Sequence, residues 1–120
     1  MNGMFEVAVA SAISQCKKVN EFNSGKLKPN AVYKIKTNAA LTLDFPTEVE
    51  EEKQNQIMIY LQIEENPVSI SWGDDTLVAF VGAEIANISV GNYRIIAEYN
   101  PNMGKWVIGV VQDGPEGGVN

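Results

Sequence analysis

Hydrophobic and polar residues alternate along most of this chain, and the alternation is most regular between residues 91 and 111. One strand face there carries the alternate residues Tyr93, Ile95, Ala97 and Tyr99. After a loop at residues 100–104, which contains asparagine, proline and glycine, a second face carries Trp106, Ile108 and Val110. A period of two on both sides of such a loop is typical of antiparallel strands. The pattern therefore predicts a β-hairpin over residues 91–111.

Shorter stretches with the same period precede the hairpin. We predict strands at residues 31–36, 41–45, 56–63, 68–72 and 77–81, and a further short segment at 83–90. Turn residues such as Pro29, Pro67 and Gly73 separate them. About seven to eight short strands, spaced about ten residues apart, are typical of a β-sandwich or a jelly roll. The predicted fold class is therefore all-β, with a single β-sandwich or jelly-roll-like domain of antiparallel strands at residues 25–112.

The two ends of the chain differ from this domain. Phe5, Val7 and Val9 alternate with other residues as in a strand, so residues 1–24 are predicted to form an extended N-terminal arm or an edge strand. A short helix is the alternative, because the alanines and lysines of this segment are good helix formers. Residues 113–120 are rich in glycine and proline and are predicted to form an irregular C-terminal tail.

Composition and charge narrow the class of protein. A chain of 120 residues is typical of one domain, and 45% hydrophobic with 20% charged residues is ordinary for a globular protein. The net charge of −6 argues against nucleic acid or an anionic membrane as the partner. The N terminus lacks the basic start of a signal peptide, and no apolar stretch approaches the ~20 residues of a membrane span. We therefore expect a soluble protein that is made in the cytosol.

The sequence offers few residues for catalysis or metal binding. Histidine is missing and Cys16 is the single cysteine, so there is no Ser-His-Asp or Cys-His set, no intrachain disulfide and no Cys/His zinc site. The acidic residues 48–52 and the pair Asp74-Asp75 could in principle bind Ca²⁺, but neither matches an EF-hand loop. Solvated loops are the expected alternative. We predict a protein that is not an enzyme and that holds no metal or cofactor.

Aromatic residues are the remaining candidates for a site. Trp72 and Trp106 could stack on a sugar or anchor an interface, and the alternative is that both pack in the core or between subunits. Tyr60 lies on the strand face opposite Ile57 and Ile59. It is therefore the best candidate for a second buried face of this strand. A strand that is apolar on both faces needs cover from another sheet or another chain.

Four strand-and-turn motifs follow one another in the domain. They are LKPNAVY at 27–33, ALTL at 40–43, ISWG at 70–73 and GNYRI at 91–95, before the hairpin that contains Trp106. In this order they resemble the small β-rich module of tailed-bacteriophage virion proteins: head-fibre or capsid-decoration proteins, and the terminal parts of tail fibres. The resemblance covers about residues 25–112, and each motif alone is a pattern that unrelated sandwiches share.

The resemblance implies a trimeric, non-enzymatic structural protein on the outside of a virion, assembled in the host cytoplasm. It implies that residues 1–24 form an anchoring arm and that the partners are sister subunits and other virion proteins of the capsid or tail. The chain lacks a coiled coil, a collagen-like repeat and a distal receptor domain, which favours capsid decoration or a short head fibre. The alternative is a stand-alone carbohydrate-binding or host-surface-adhesion module. The expected interaction residues are Phe5, Val7, Val9, Tyr60, Trp72 and Trp106.

Overall fold

The computed structural model of this protein describes residues 18–114, which form ten β-strands and one 3-10 turn at Asp75–Leu77. The strands are β1 (Val19–Glu21), β2 (Gly25–Lys26), β3 (Val32–Thr37), β4 (Leu41–Asp44), β5 (Gln56–Ile63), β6 (Val68–Ser71), β7 (Val78–Phe80), β8 (Asn87–Ile88), β9 (Gly91–Asn100) and β10 (Lys105–Gly114). Within residues 18–114, none of the segments is a helix that could cross a membrane. The all-β prediction is confirmed for the described part of the chain.

The strands form two mixed sheets. The larger sheet has the order β1-β3-β5-β9-β10-β7, and the smaller sheet has the order β2-β4-β6-β8. In the larger sheet β1, β3 and β5 run parallel, β9 is antiparallel to both β5 and β10, and β7 runs parallel to β10. In the smaller sheet β2, β4 and β6 run parallel, and β8 is antiparallel to β6.

The prediction that the strands are all antiparallel is wrong. From β1 to β8 successive strands belong alternately to the larger and the smaller sheet. A strand therefore meets its sheet neighbour only after the chain has crossed to the other sheet and returned, which permits a parallel pair. The period-two pattern could not show this, because it reports which face a side chain occupies and not the direction of the neighbouring strand. The strand count is also higher than expected, because β1 and β2 are too short to show a period.

The main core lies between the two sheets. From β5 it receives Ile57, Ile59, Leu61 and Ile63, and from β4 it receives Leu41 and Leu43. Trp72, Trp106 and Phe45 join the same cluster, with the Phe45 ring 6.3 Å from the Trp72 ring and 5.9 Å from the Trp106 ring. Each large apolar side chain that folding buries contributes about 1.5–3 kcal/mol. The alternate residues of the predicted strands are thus the residues that hold the two sheets together.

The predicted hairpin is confirmed as β9 and β10. Tyr99 pairs with Trp106 and Ala97 with Ile108 across the two strands. In the turn, the carbonyl oxygen of Asn100 accepts hydrogen bonds from the backbone N–H groups of Met103 and Gly104, at 3.1 and 2.8 Å. Gly104 has a φ of +68°, which glycine adopts without a steric penalty. The hairpin therefore closes through residues of the loop itself, whose Asn/Pro/Gly composition is visible in the sequence.

Candidate functional site

A row of apolar positions crosses the larger sheet on the face that points away from the main core. Strand pairing aligns Val19 with Val32, Val32 with Met58, Met58 with Ile96 and Ile96 with Gly109. Paired residues on neighbouring strands share a face of the sheet. These five positions, on β1, β3, β5, β9 and β10, are called the outer row.

The middle of the outer row is buried. Val32 and Met58 are 0% exposed and Ile96 is 5% exposed, and these three form a hydrophobic cluster separate from the main core. The half-buried ring of Tyr60 packs against them. Val19, at the β1 end, is 44% exposed. The outer row is thus covered at its centre and open at the edge of the sheet.

The β10 end of the outer row has room for another group. A Cβ atom built on Gly109 would meet no atom within 4 Å, so the backbone of β10 is open on this face. Glycine inside a strand often marks a place where another backbone or a ligand approaches closely. The sheet therefore has open space above Gly109 at this end of the row, next to the buried side chain of Ile96.

Polar residues flank the outer row on both sides. On one side, the neighbouring row contains an ion pair between Lys34 and Glu21, with Nζ and Oε2 at 3.6 Å, and Arg94, whose Nε lies 2.8 Å from Oδ1 of Asp113. On the other side, the neighbouring row contains Gln56 and Glu98, which are paired across β5 and β9. The buried apolar centre of the outer row thus has charged and polar residues on both sides.

The outer row exists because three strands carry apolar residues at consecutive positions. Val32 precedes Tyr33 in β3, Met58 lies between two isoleucines in β5, and Ile96 lies between Ile95 and Ala97 in β9. In each strand the neighbours point into the main core and the outer-row residue points away from it. Tyr60 marks this face in the sequence, whereas the three residues at its centre are not among the predicted interaction residues. The doubled apolar positions were the signal that could have found them.

The predicted interaction residues fall into three groups. Phe5, Val7 and Val9 lie outside the described residues. Tyr60 packs on the outer row. Trp72 and Trp106 lie on the opposite side of the larger sheet, in the main core. The structure therefore brings Tyr60 together with residues the sequence analysis did not name, and separates it from the two tryptophans.

Both tryptophans are enclosed by the protein. The indole N–H of Trp72 donates to the carbonyl oxygen of Ile85 at 2.6 Å, and the indole N–H of Trp106 donates to the carbonyl oxygen of Pro46 at 2.9 Å. The Trp106 ring also meets the Tyr99 ring edge-on at 5.5 Å. Of the two alternatives drawn from the sequence, the structure shows the core position. A sugar could stack on either indole only if the core opened.

The side chain of Asn55 holds the acidic loop at residues 48–52, which precedes β5, in place. The buried Oδ1 of Asn55 accepts hydrogen bonds from Asn30 Nδ2 at 3.0 Å and from the backbone N–H of Glu50 at 2.9 Å. Its Nδ2 donates to the carbonyl oxygens of Glu50 at 2.9 Å and Lys53 at 3.1 Å. Four hydrogen bonds thus hold the loop, and Asn55 is not among the residues predicted from the sequence. Among residues 18–114 no three acidic or cysteine side chains form a metal-binding group.

The pair Asp74-Asp75 begins the 3-10 turn. Oδ1 of Asp74 accepts hydrogen bonds from the Thr76 hydroxyl at 2.7 Å and from the Thr76 backbone N–H at 2.9 Å. These two bonds hold the pKa of the Asp74 carboxyl below its ordinary value of 3.8, and the bond from the Thr76 hydroxyl makes the larger contribution. Asp74 therefore caps a turn, which is a structural use of the carboxylate.

No protein-family model matches this chain, and a search of curated proteins finds no match to it. The functional proposal therefore depends on the outer row and on the resemblance seen in the sequence. Of the predicted interaction residues within residues 18–114, Tyr60 is the one that lies on this surface.

Proposed function

We propose that this chain is a structural accessory protein of a tailed-bacteriophage virion, a head-fibre or capsid-decoration protein that attaches to the particle and stabilises or decorates it. In this proposal it works by adhesion and not by catalysis. The observation that carries the proposal is the outer row, an apolar row with a buried centre and open ends on the face of the sheet that the main core does not use.

An antiparallel or mixed sheet with one solvated face alternates apolar and polar residues, whereas a sheet apolar on both faces is covered on both. Val32, Met58 and Ile96 make the second face of three adjacent strands apolar. These three residues are already buried, so the area that a partner could cover lies at the ends of the row, at Val19 and Gly109. Each Å² removed from water there gains about 25 cal/mol. The proposed mechanism of attachment is burial of apolar surface around this row.

The same proposal includes a β-sandwich architecture for the domain. Two sheets that share one core support a β-sandwich, and the virion modules that the motifs resemble are built as small β-rich units. The polar rim, with the Lys34–Glu21 and Arg94–Asp113 pairs, would set the orientation of a neighbouring protein, because charged rims select partners more than they add affinity.

The first experiment measures native mass by light scattering on the full chain at micromolar concentration. A homotrimer has three times the 13.1 kDa mass of the chain. Val19→Asp places a charge at the open end of the outer row and is expected to reduce the trimer. Met103→Asp is the matched control, because Met103 is also exposed but lies in the β9–β10 turn, away from the row.

A second experiment addresses the particle itself. When the protein is made during infection by the phage that carries it, gradient-purified virions should contain it in stoichiometric amounts. The Val19→Asp chain should be reduced in those virions and the Met103→Asp chain should not. A chain that is monomeric at all concentrations and absent from purified virions would refute the proposal.

A further inference from the structure

β10 is longer than β7, the strand beside it at the edge of the larger sheet. β7 pairs with β10 only over residues 106–108 of β10, and the last backbone bond on that side runs from the Val81 N–H to the Ile108 carbonyl oxygen at 2.9 Å. Beyond that bond β10 keeps β9 on one side and has no described strand on the other. Residues 110–114 of β10 are called the open edge.

The open edge presents backbone groups that are ready to pair. Successive residues of a strand direct their N–H and C=O groups to opposite sides of the strand. Because the Ile108 carbonyl oxygen points to the β7 side, the backbone groups of Val110 and Gln112 point to that side too. Within residues 18–114 no backbone or side-chain group bonds to them there. An edge of this kind is a template for pairing with another strand.

The side chains along β10 permit such pairing. Residues 106–112 carry no charge and no proline in a chain whose net charge is −6. Charged side chains and prolines are common protection of an edge strand, and β1, at the other end of the larger sheet, has the charged Glu21. Val81, beside the start of the open edge, is 73% exposed and apolar. A second copy of the chain can therefore approach this edge without bringing like charges together over residues 106–112.

Two copies of the open edge are complementary when they run antiparallel. A two-fold axis at Val111 places Val110 of each copy opposite Gln112 of the other, so that each pair exchanges both of its N–H···O bonds. The two Val111 side chains then face each other on the face of the outer row, with Cβ atoms about 5 Å apart. In this register Asp113 falls beside Gly109 of the other copy, where there is neither a charge nor a side chain.

We propose that this chain binds a second copy of itself through the open edge, with the two β10 strands antiparallel about Val111 and the two larger sheets joined into one. This contact goes beyond the proposed function, because it needs only a second copy of the chain. In a trimeric virion protein it would join chains of neighbouring trimers, since a two-fold contact links one chain to one other. One strand edge buries little surface, so the contact is weak and is tested at high concentration.

A cysteine at position 111 tests the register. In a chain with Cys16→Ser, the substitution Val111→Cys places two thiols opposite each other, within the distance that a disulfide spans. Val107→Cys is the matched control, because Val107 is also half-buried on the same face of β10 but lies beside β7. Under mild oxidation the covalent dimer should form at least about tenfold faster with the cysteine at 111 than at 107.

Hydrogen exchange on the unchanged chain tests the contact without a cysteine. From about 10 to 500 µM, exchange of the Val110 and Gln112 amides should slow by about threefold or more, because their N–H groups gain partners. The Val111 amide, which pairs with Arg94 of β9, should exchange at the same rate throughout. Val111→Lys should abolish the concentration dependence, since like charges on opposite residues destabilise a strand pair, and Val107→Lys should keep it.

Three results would overturn the inference. Equal rates of cross-linking for the two cysteines would show that the copies meet by random collision. Exchange at Val110 and Gln112 that is slow at every concentration would show that the same chain covers the open edge, because an intramolecular contact does not depend on concentration. Exchange that is fast at every concentration would show that the edge binds no second copy.

The trimer mass and virion incorporation are read separately from this contact. A chain that is present in virions but fails both tests refutes the paired edge and leaves the proposed function standing. A chain that cross-links at position 111 but is absent from virions supports the paired edge and counts against the proposed function alone.

Discussion

Met58 and Ile59 are consecutive residues of β5, and both side chains are completely buried on opposite faces of the larger sheet. Ile59 lies in the core between the two sheets, whereas Met58 packs with Val32 and Ile96 in the outer row. In a sheet with one solvated face, one of two consecutive residues would be exposed to solvent. Because both Met58 and Ile59 are buried, substitutions at the two positions should have similar effects on stability.

Met58→Ala is expected to lower the free energy of unfolding by about 2–4 kcal/mol, close to the effect of Ile59→Ala. The reason is that each change removes a fully buried side chain and leaves a cavity. Urea denaturation followed by circular dichroism measures both. Gln62→Ala, at an exposed position of the same strand, is the control and should change stability by less than about 0.5 kcal/mol. A Met58→Ala effect as small as that of the control would place Met58 in solvent.

Asn55→Ala should lower the free energy of unfolding by about 2–4 kcal/mol, because the backbone groups of Glu50 and Lys53 lose their partner inside the loop. Hydrogen exchange of the Glu50 amide should accelerate at the same time. Gln54→Ala changes the exposed neighbour and should leave that amide protected. An unchanged Glu50 exchange rate in Asn55→Ala would show that the loop is held by other contacts.

Two glycines with similar backbone angles should respond differently to alanine. Gly73 has a φ of +72° and Gly82 a φ of +87°. At Gly82 a Cβ atom meets nothing within 4 Å, so Gly82→Ala should cost about 1 kcal/mol for the left-handed backbone alone. At Gly73 the Cβ atom would collide with the Asp44 side chain and lie 3.2 Å from the Asp44 Cα.

Gly73→Ala is therefore expected to cost about 1–3 kcal/mol more than Gly82→Ala, since overpacking is added to the backbone term. The two midpoints of urea unfolding give the comparison directly. Equal midpoints would mean that the Asp44 side chain and the adjoining backbone move aside freely.

The Asp74 carboxyl should titrate below its ordinary pKa of 3.8, because Thr76 donates two hydrogen bonds to its ionised form. A lowered pKa in the folded state means that the ionised carboxylate adds stability above the unfolded-state pKa. That stability is lost as the pH falls from about 3.8 through the lower folded-state value. Carbon-detected NMR titration of the Asp74 carboxyl reports the value.

Thr76→Ala removes the hydroxyl donor and keeps the backbone N–H, so the Asp74 pKa should move up toward its ordinary value. A serine at position 76 keeps a hydroxyl and serves as the control, with little change expected. An Asp74 pKa that is the same in the alanine variant as in the unchanged chain would show that the hydroxyl contributes nothing.

Several parts of the fold could be predicted because they depend on local pattern. The hairpin of β9 and β10 combines two alternating strands with a loop whose asparagine and glycine suit the turn. Strands β3, β4, β5 and β6 begin or end within about two residues of their predicted bounds, because their apolar faces are needed for the core. Tyr60 lies, as the period of two predicts, on the face opposite Ile57 and Ile59.

The parts that could not be predicted depend on contacts distant in the sequence. Val19 and Val32 are thirteen residues apart, and Ile96 meets Met58 across a separation of 38 residues. The local pattern of a strand does not indicate which other strand pairs with it in the sheet. The same limit applies to Asn55, whose partner Asn30 lies 25 residues away.

By itself the sequence determined that this protein is built of β-strands, where most of them lie and which residues face the main core, because a strand shows its faces through a period of two. Only the tertiary structure decided that most neighbouring strands of the smaller sheet are parallel, that successive strands alternate between two sheets, and that Val32, Met58 and Ile96 meet in one row. Strand direction and partnership are set by where the chain returns after each crossing, and that information is spread over the whole chain.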